Sequence, residues 1–242
     1  MPKGDEYLLS HIKQQTAVAL TEMDAISTDL TDDDRCYFSV ACSDTFRFQM
    51  KRLIAENVSD VVALGYKNVY MRSCLKVKQG NFFQNVLINT MCVFDKSCDQ
   101  QIVSKMIDVN KPLFLDGYCN FRLNALKRKW KEITNLVSDN NFILHDEQLI
   151  LEFLQYLLES VSCKVSQLSL SIEVDDFLMY DSNDKVLPKV KSLAPKTTAE
   201  EEAALNVLLL KPQSVTVYYG EKPSQDFCTL LQLFQCKFVQ AT

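Results

Sequence analysis

The chain has 242 residues, 47% of them hydrophobic and 24% charged, which suits one domain or two small ones with a core that needs no disulfide or metal to supplement it. A formal net charge of −5 excludes global attraction to nucleic acid or anionic membrane and leaves only a local basic patch for either. With 5 glycines there is almost no material for phosphate-cradling loops, and no run approaches the length of an apolar membrane span.

The first residues, MPKGDEYLLSHIKQQ, lack a cationic stretch followed by an apolar one, so no signal peptide is expected. Residues 6–29 are helix-compatible but weakly periodic, and 28–35 (TDLTDDDR) read as a polar loop. The segment 36–42 (CYFSVAC) is β-branched and aromatic and reads as a strand. Ser43 or Asp44 suits the cap of the helix that follows. In that helix Phe46, Met50, Leu53, Ile54, Val58, Val61 and Val62 recur at helical spacing, and the pattern extends towards Leu75. Gly80 and Asn81 break it. Residues 82–107 form another helical pattern, with an interruption near 95–97.

The stretch 113–161 is the most distinctive. Leu115, Cys119, Leu123, Leu126, Trp130, Ile133 and Val137 fall on one face at about 100° per residue. They predict one amphipathic helix over 115–137. Asn140 and Asn141 mark a turn, and Asp146 and Glu147 suit a helix start. Residues 148–161 are apolar almost all round, the pattern of a central helix contacted on several sides. Beyond Val165 the period changes to two. Leu168, Leu170, Ile172 and Val174 alternate with polar residues and predict a strand. Residues 177–180, the turn DSND and 185–187 suggest a hairpin, and 187–196 form a Pro-containing linker. Thr198 and Glu201 have the spacing of a capping box, opening a helix that Pro212 stops. A strand at 215–219, a helix at 224–234 and a strand at 236–240 complete a β-α-β unit.

The fold class expected is α+β: helix-rich, with a central helical hairpin and a small mixed sheet. C-terminal strands form most of that sheet, and 36–42 joins it. A mainly helical region, 1–162, precedes an α/β region, 163–242, and the two are expected to form one compact unit. The 9 cysteines are odd in number and irregular in spacing, mostly among apolar residues. They read as reduced, mostly buried thiols of a cytoplasmic protein.

Asp116-Gly117-Tyr118-Cys119-Asn120-Phe121-Arg122-Leu123 resembles the G-[FI]-x-x-F-R-L element of the YtxC-like family of sporulation proteins. Residues 152–158 resemble that family's later E-F-I-x-L-L-R-Y-F helix, with Gln155 where the family tends to carry an Arg. The tail is similar too, through 203–210, Pro212, 215–219, Leu233-Phe234 and Cys236. The resemblance covers roughly 113–240. It implies a cytoplasmic protein of sporulating Gram-positive cells and brings no established catalytic or binding residue with it.

Arg122, Lys127, Arg128, Lys129 and Lys131 are the densest cation cluster. On a helix they ring the apolar stripe, which favours a solvated surface; an anion or partner site is the alternative. Arg122 borders the stripe and suits a partly buried pair with a carboxylate such as Glu152. His11 and His145 lack metal-ligand spacing, Cys92 and Cys98 do not form a zinc knuckle, and 32–34 (DDD) lacks a calcium-loop pattern, so no metal or cofactor is expected. His145 beside Asp146 reads as a helix start and Cys119 as core. Asp175, Asp176, Asp181 and Asp184 read as hairpin ends. No catalytic constellation is recognisable. The sequence therefore points to a non-enzymatic, sporulation-associated factor with a protein partner or self-association. The alternatives are a nucleic-acid or anion binder using 122–131 and an enzyme with its site between the helical half and the C-terminal sheet.

Overall fold

Helix α1 (Glu6–Glu22) is shorter than the sequence suggests. Asp24 takes a left-handed backbone, φ 46°, and the chain turns into strand β1 (Ile26–Thr31). The computed structural model describes residues 1, 3–78, 80–138 and 143–240. These form two compact units, one from Met1–Tyr70 with Cys92–Lys131 and the other from Met71–Met91 with Glu132–Thr242.

In the first unit, β1 pairs antiparallel with β2 (Cys36–Ala41), from Ile26 opposite Ala41 to Thr31 opposite Cys36. Two expectations are corrected here. The span 28–35 is half strand, and β2 belongs to this separate hairpin rather than to the C-terminal sheet. All six residues of β1 are exposed, so Ser, Thr and Asp serve in it and no apolar alternation marks it. Asp32 makes the turn by accepting from the Asp34 and Arg35 amides at 3.0 and 2.6 Å.

Helix α2 (Arg47–Asp60) starts after Phe46, with no side-chain cap from Ser43 or Asp44. It runs through a π-helical turn, Val61–Tyr66, into α3 (Lys67–Leu75). Val61, Val62, Ala63 and Leu64 are buried there, and Gly65 lies so close to Leu8 of α1 that a Cβ would sit 2.4 Å from a Leu8 methyl. Helix α4 (Phe82–Phe94) is followed at once by α5 (Lys96–Met106), with the expected interruption at Asp95. The stripe 115–137 is carried by two helices rather than one, α6 (Leu115–Phe121) and α7 (Asn124–Ser138). Leu115, Cys119, Leu123, Leu126, Trp130 and Val137 are all buried, so spacing stays in phase across the joint and does not reveal it.

In the second unit, Asn81 accepts from the Gln84 amide at 2.9 Å where α4 begins. Helix α8 (Glu147–Glu159) starts where the Asp146 side chain accepts from the Gln148 and Leu149 amides. It buries Ile150, Leu154 and Leu158 but leaves Tyr156 exposed, so it packs through a stripe and not all round. The turn expected at Asn140 and Asn141 lies outside the described residues. Strands β3 (Gln167–Ile172), β4 (Phe177–Tyr180), β5 (Ser214–Tyr219) and β6 (Gln235–Gln240) form one sheet in the order β4-β3-β5-β6. The β3–β4 pair is antiparallel and the other two are parallel, which makes the small mixed sheet and the β-α-β ending that the sequence predicts.

Helix α9 (Ala199–Leu210) is buried nearly all round, through Ala203, Ala204, Leu205, Val207 and Leu208, as α4 is through Val86, Leu87, Ile88, Met91 and Cys92. Its Thr198–Glu201 capping box is formed. Lys211, at φ 45°, ends it before Pro212 and donates to the Leu158 and Val161 carbonyls at 2.6 and 2.8 Å. Leu158 lies in the last turn of α8, where its carbonyl also accepts from the Val161 amide at 3.0 Å, and Val161 lies just past the helix end. Asn206 clamps the linker, accepting from the Val190 amide at 2.8 Å and donating to its carbonyl at 2.9 Å. Helix α10 (Gln225–Leu231) joins β5 to β6. The protein is thus helix-rich α+β. Among the described residues, no helix is long and apolar enough to cross a membrane. Cys36, Cys92 and Cys119 are buried, while Cys98 and Cys163 are exposed and the rest lie between, so the thiols are less buried than expected.

Candidate functional site

Two places in the first unit concentrate chemistry. The first is a buried charge cluster. Lys67 begins α3 directly after the π-helical turn and is fully buried. Its ammonium meets Asp95, Asp99 Oδ2 at 2.9 Å and the Cys92 carbonyl at 3.4 Å. Asp99 is also fully buried and accepts from Trp130 Nε1 at 2.8 Å and from Lys129 Nζ at 3.3 Å. Lys129 in turn reaches Asp95 Oδ2 at 2.9 Å. Burial by itself would lower the Lys129 pKa, but the Asp95 and Asp99 carboxylates outweigh it and hold the ammonium above its ordinary range. The Tyr70 ring lies 5.8 Å from that of Trp130, tilted by 56°.

Two lysines and two aspartates balance in charge, and each carboxylate sits near the start of α5, where the helix dipole favours it. The lysine and indole donors are spent on these two carboxylates and one carbonyl. None of these side chains lines either of two cavities, of about 400 and 670 Å³. The cluster is suited to fixing how α3, α5 and α7 meet, as buried polar lattices do.

The second place is the cavity of about 400 Å³. Leu9 and Ile12 of α1, Ile54 and Val58 of α2, and Phe114 wall it, and β2 lies along it from Cys36 to Val40. Its rim is held by Arg35, which grips Asp116 at the start of α6 through two bonds of 3.1 and 3.0 Å. The same guanidinium lies 5.3 Å from the Phe114 ring centre. Burial raises the Asp116 pKa, yet the Arg35 bonds and the Gly117 amide prevail and hold it below 3.8. The result is a mainly apolar groove with Tyr37, Ser39 and Asn110 among its walls, and Lys111 carries the one charged side chain there.

The cluster expected at 122–131 is not gathered into a site. Arg122 is exposed after α6, which removes the expected half-buried pairing, and Glu152 accepts from Gln148 Nε2 at 3.2 Å. Lys127 reaches Asn120 Oδ1 at 3.4 Å, and Arg128 and Lys131 are exposed on α7. Lys129 alone turns inward, into the ion pairs. Phe121, beside Arg122, is 78% exposed. His11 lies in the first unit, and His145 precedes the Asp146 cap in the second. Cys119 is core, its thiol pushed up to about 12 by burial. Asp176 ends the β3–β4 turn and pairs with Lys189 at 2.5 Å, whereas Asp181 accepts from the Asn183 and Lys185 amides beyond the other end of β4. Lys67, Asp95 and Asp99 escape a reading of the sequence. The one signal for them is the i, i+4 spacing of two aspartates at a helix start, opposite a lysine set among apolar residues.

No curated protein and no solved structure matches the chain. The model of the YtxC-like family matches residues 67–237, a span that includes the whole charge cluster and, of the groove walls, only 109–115. That match covers well over half of the sequence, and the protein belongs to the YtxC-like family.

Proposed function

We propose that the protein is a non-enzymatic, sporulation-associated factor of the cytoplasm that holds a protein partner in the groove of its first unit. The groove itself carries this reading: an apolar, ligand-sized concavity with a rim braced by the Arg35–Asp116 pair. Family membership supplies the link to sporulation. The buried ion cluster supports a structural rather than catalytic use of the chain's charges. The anion-binding alternative is weakened because Lys129 is committed to Asp95 and Asp99.

The test is complementation of a deletion strain with the wild-type gene, with Ile54→Arg, or with a combined Arg122→Glu and Arg128→Glu variant. Ile54 lines the groove and is only half-buried, so an arginine there blocks the groove without entering the core. Ile54→Arg is expected to leave abundance and circular dichroism unchanged and to lower spore yield. Full rescue by Ile54→Arg, with loss confined to the charge-reversed variant, would replace this reading with the anion-binding one.

A further inference from the structure

We infer that the groove takes its partner as an added β-strand: an extended, apolar peptide segment with one acidic residue, paired along the outer edge of β2. This deepens the reading above and rests on it. In an antiparallel pair, successive residues aim their amide and carbonyl to alternate sides. The Arg35 carbonyl accepts from the Asp32 amide at 2.9 Å, on the side of β1. Arg35, Tyr37, Ser39 and Ala41 therefore bond towards β1, and Cys36, Phe38 and Val40 aim the other way.

Cys36 shows what that outer edge does. Its amide donates to the Met1 carbonyl at 2.9 Å, and its carbonyl accepts from the Met1 nitrogen at 2.9 Å. That is a reciprocal rung of the kind a third strand makes. The next two rungs, at Phe38 and Val40, have no hydrogen-bond partner among the described residues. Both residues line the groove.

An edge with two open rungs beside an apolar concavity is what strand addition requires: main-chain bonds supply affinity and alternate side chains enter the pocket. Residues of the added strand that share a face with Phe38 and Val40 would meet Ile12, Ile54 and Val58. Charge narrows the partner further. No carboxylate lines the groove, and Lys111, 81% exposed, meets only Asp108 among the described residues, in a loose surface pair of 3.8 Å that water screens, so an acidic residue beside the apolar ones can compete for it. A small apolar molecule would fill the pocket but leave the two rungs open.

The test uses the full chain and a displayed library of short random peptides, with binders retained by the wild type and lost by Ile54→Arg. Recovered peptides are expected to alternate apolar residues with an acidic one among them. In hydrogen exchange they are expected to slow the Phe38 and Val40 amides. A Val40→Pro variant removes one outward donor without touching a bond to β1, as edge prolines do. It is expected to weaken those peptides about ten-fold while the hairpin remains folded. Peptides that occupy the groove without slowing these amides, or that bind Val40→Pro equally well, overturn strand addition but leave the groove as a partner site. Concentration-dependent protection of Phe38 and Val40 in the protein alone assigns the edge to a second copy and also overturns it. Recovery of no groove-dependent peptide overturns it too, and rescue by Ile54→Arg in the spore assay separately overturns the broader reading.

Discussion

Glu201 in the second unit and Asp99 in the first are both buried carboxylates, and they are satisfied in different ways. Glu201, 5% exposed, accepts from the Thr198 amide at 3.0 Å and from Asn85 Nδ2 at 2.7 Å. Half of that arrangement is local and rests on a helix terminus. Asp99 is held by Lys67, Trp130 and Lys129, each about thirty residues away in the chain. The first unit thus stakes its helix packing on long-range ion pairs centred on the fully buried Lys67 and Asp99. The second secures its helices with caps and amide clamps. Removing one partner from an ion pair leaves a bare buried charge, whereas removing a cap leaves a backbone amide that water can reach.

The sharpest test of this contrast is Lys67→Met. It should destabilise the protein by about 3–5 kcal/mol in denaturant unfolding, with less further loss when Asp99→Leu is added to it. A loss below about 1 kcal/mol would remove the distinction between the units. Gly65→Ala should cost about 1–3 kcal/mol, because the added methyl meets Leu8 in a filled core. Thr198→Ala should cost about 1 kcal/mol, the ordinary value of a lost N-cap.

The smallest effect concerns acid. The Asp116 pKa lies below 3.8 in the fold, so its pairing with Arg35 stabilises fully above that value and fades as pH falls through the lower, folded one. The stability gap between wild type and Asp116→Asn should hold from neutral pH into mild acid and close only under strong acid. A gap that closed instead on raising the pH would reverse the assignment.

Local physics explains how much could be read in advance. The β3 alternation, the Thr198–Glu201 box, the stop at Pro212 and the β-α-β ending are short-range signals, and the second unit is built largely from them. Strand β1 was hidden because a fully exposed strand needs no apolar face. The joint between α6 and α7 was hidden because Leu123 keeps the stripe in phase. The helix from Glu147 carries more apolar residues than it buries, while the enclosed α9 carries an acidic first turn that masks its role. Lys129 looked like one more surface cation because nothing near it in sequence names Asp95 or Asp99 as its partner. The groove is composed from α1, β2, α2 and the approach to α6, and no single segment announces it.

The π-helical turn at Val61–Tyr66 sets a constraint on counting rather than on chemistry. A π turn holds about one more residue than an α turn, so it rotates all that follows by roughly 100°. Lys67 comes immediately after it, and its inward aim is a consequence of that extra residue. Deleting one residue from this stretch would give a more regular helix and swing Lys67 away from Asp99. Such a deletion is expected to destabilise the protein at least as much as Lys67→Met, even though it removes no charged group. Here the spacing of the chain is as binding as its composition, and relatives that keep Lys67 in the cluster must keep the length of this stretch as well.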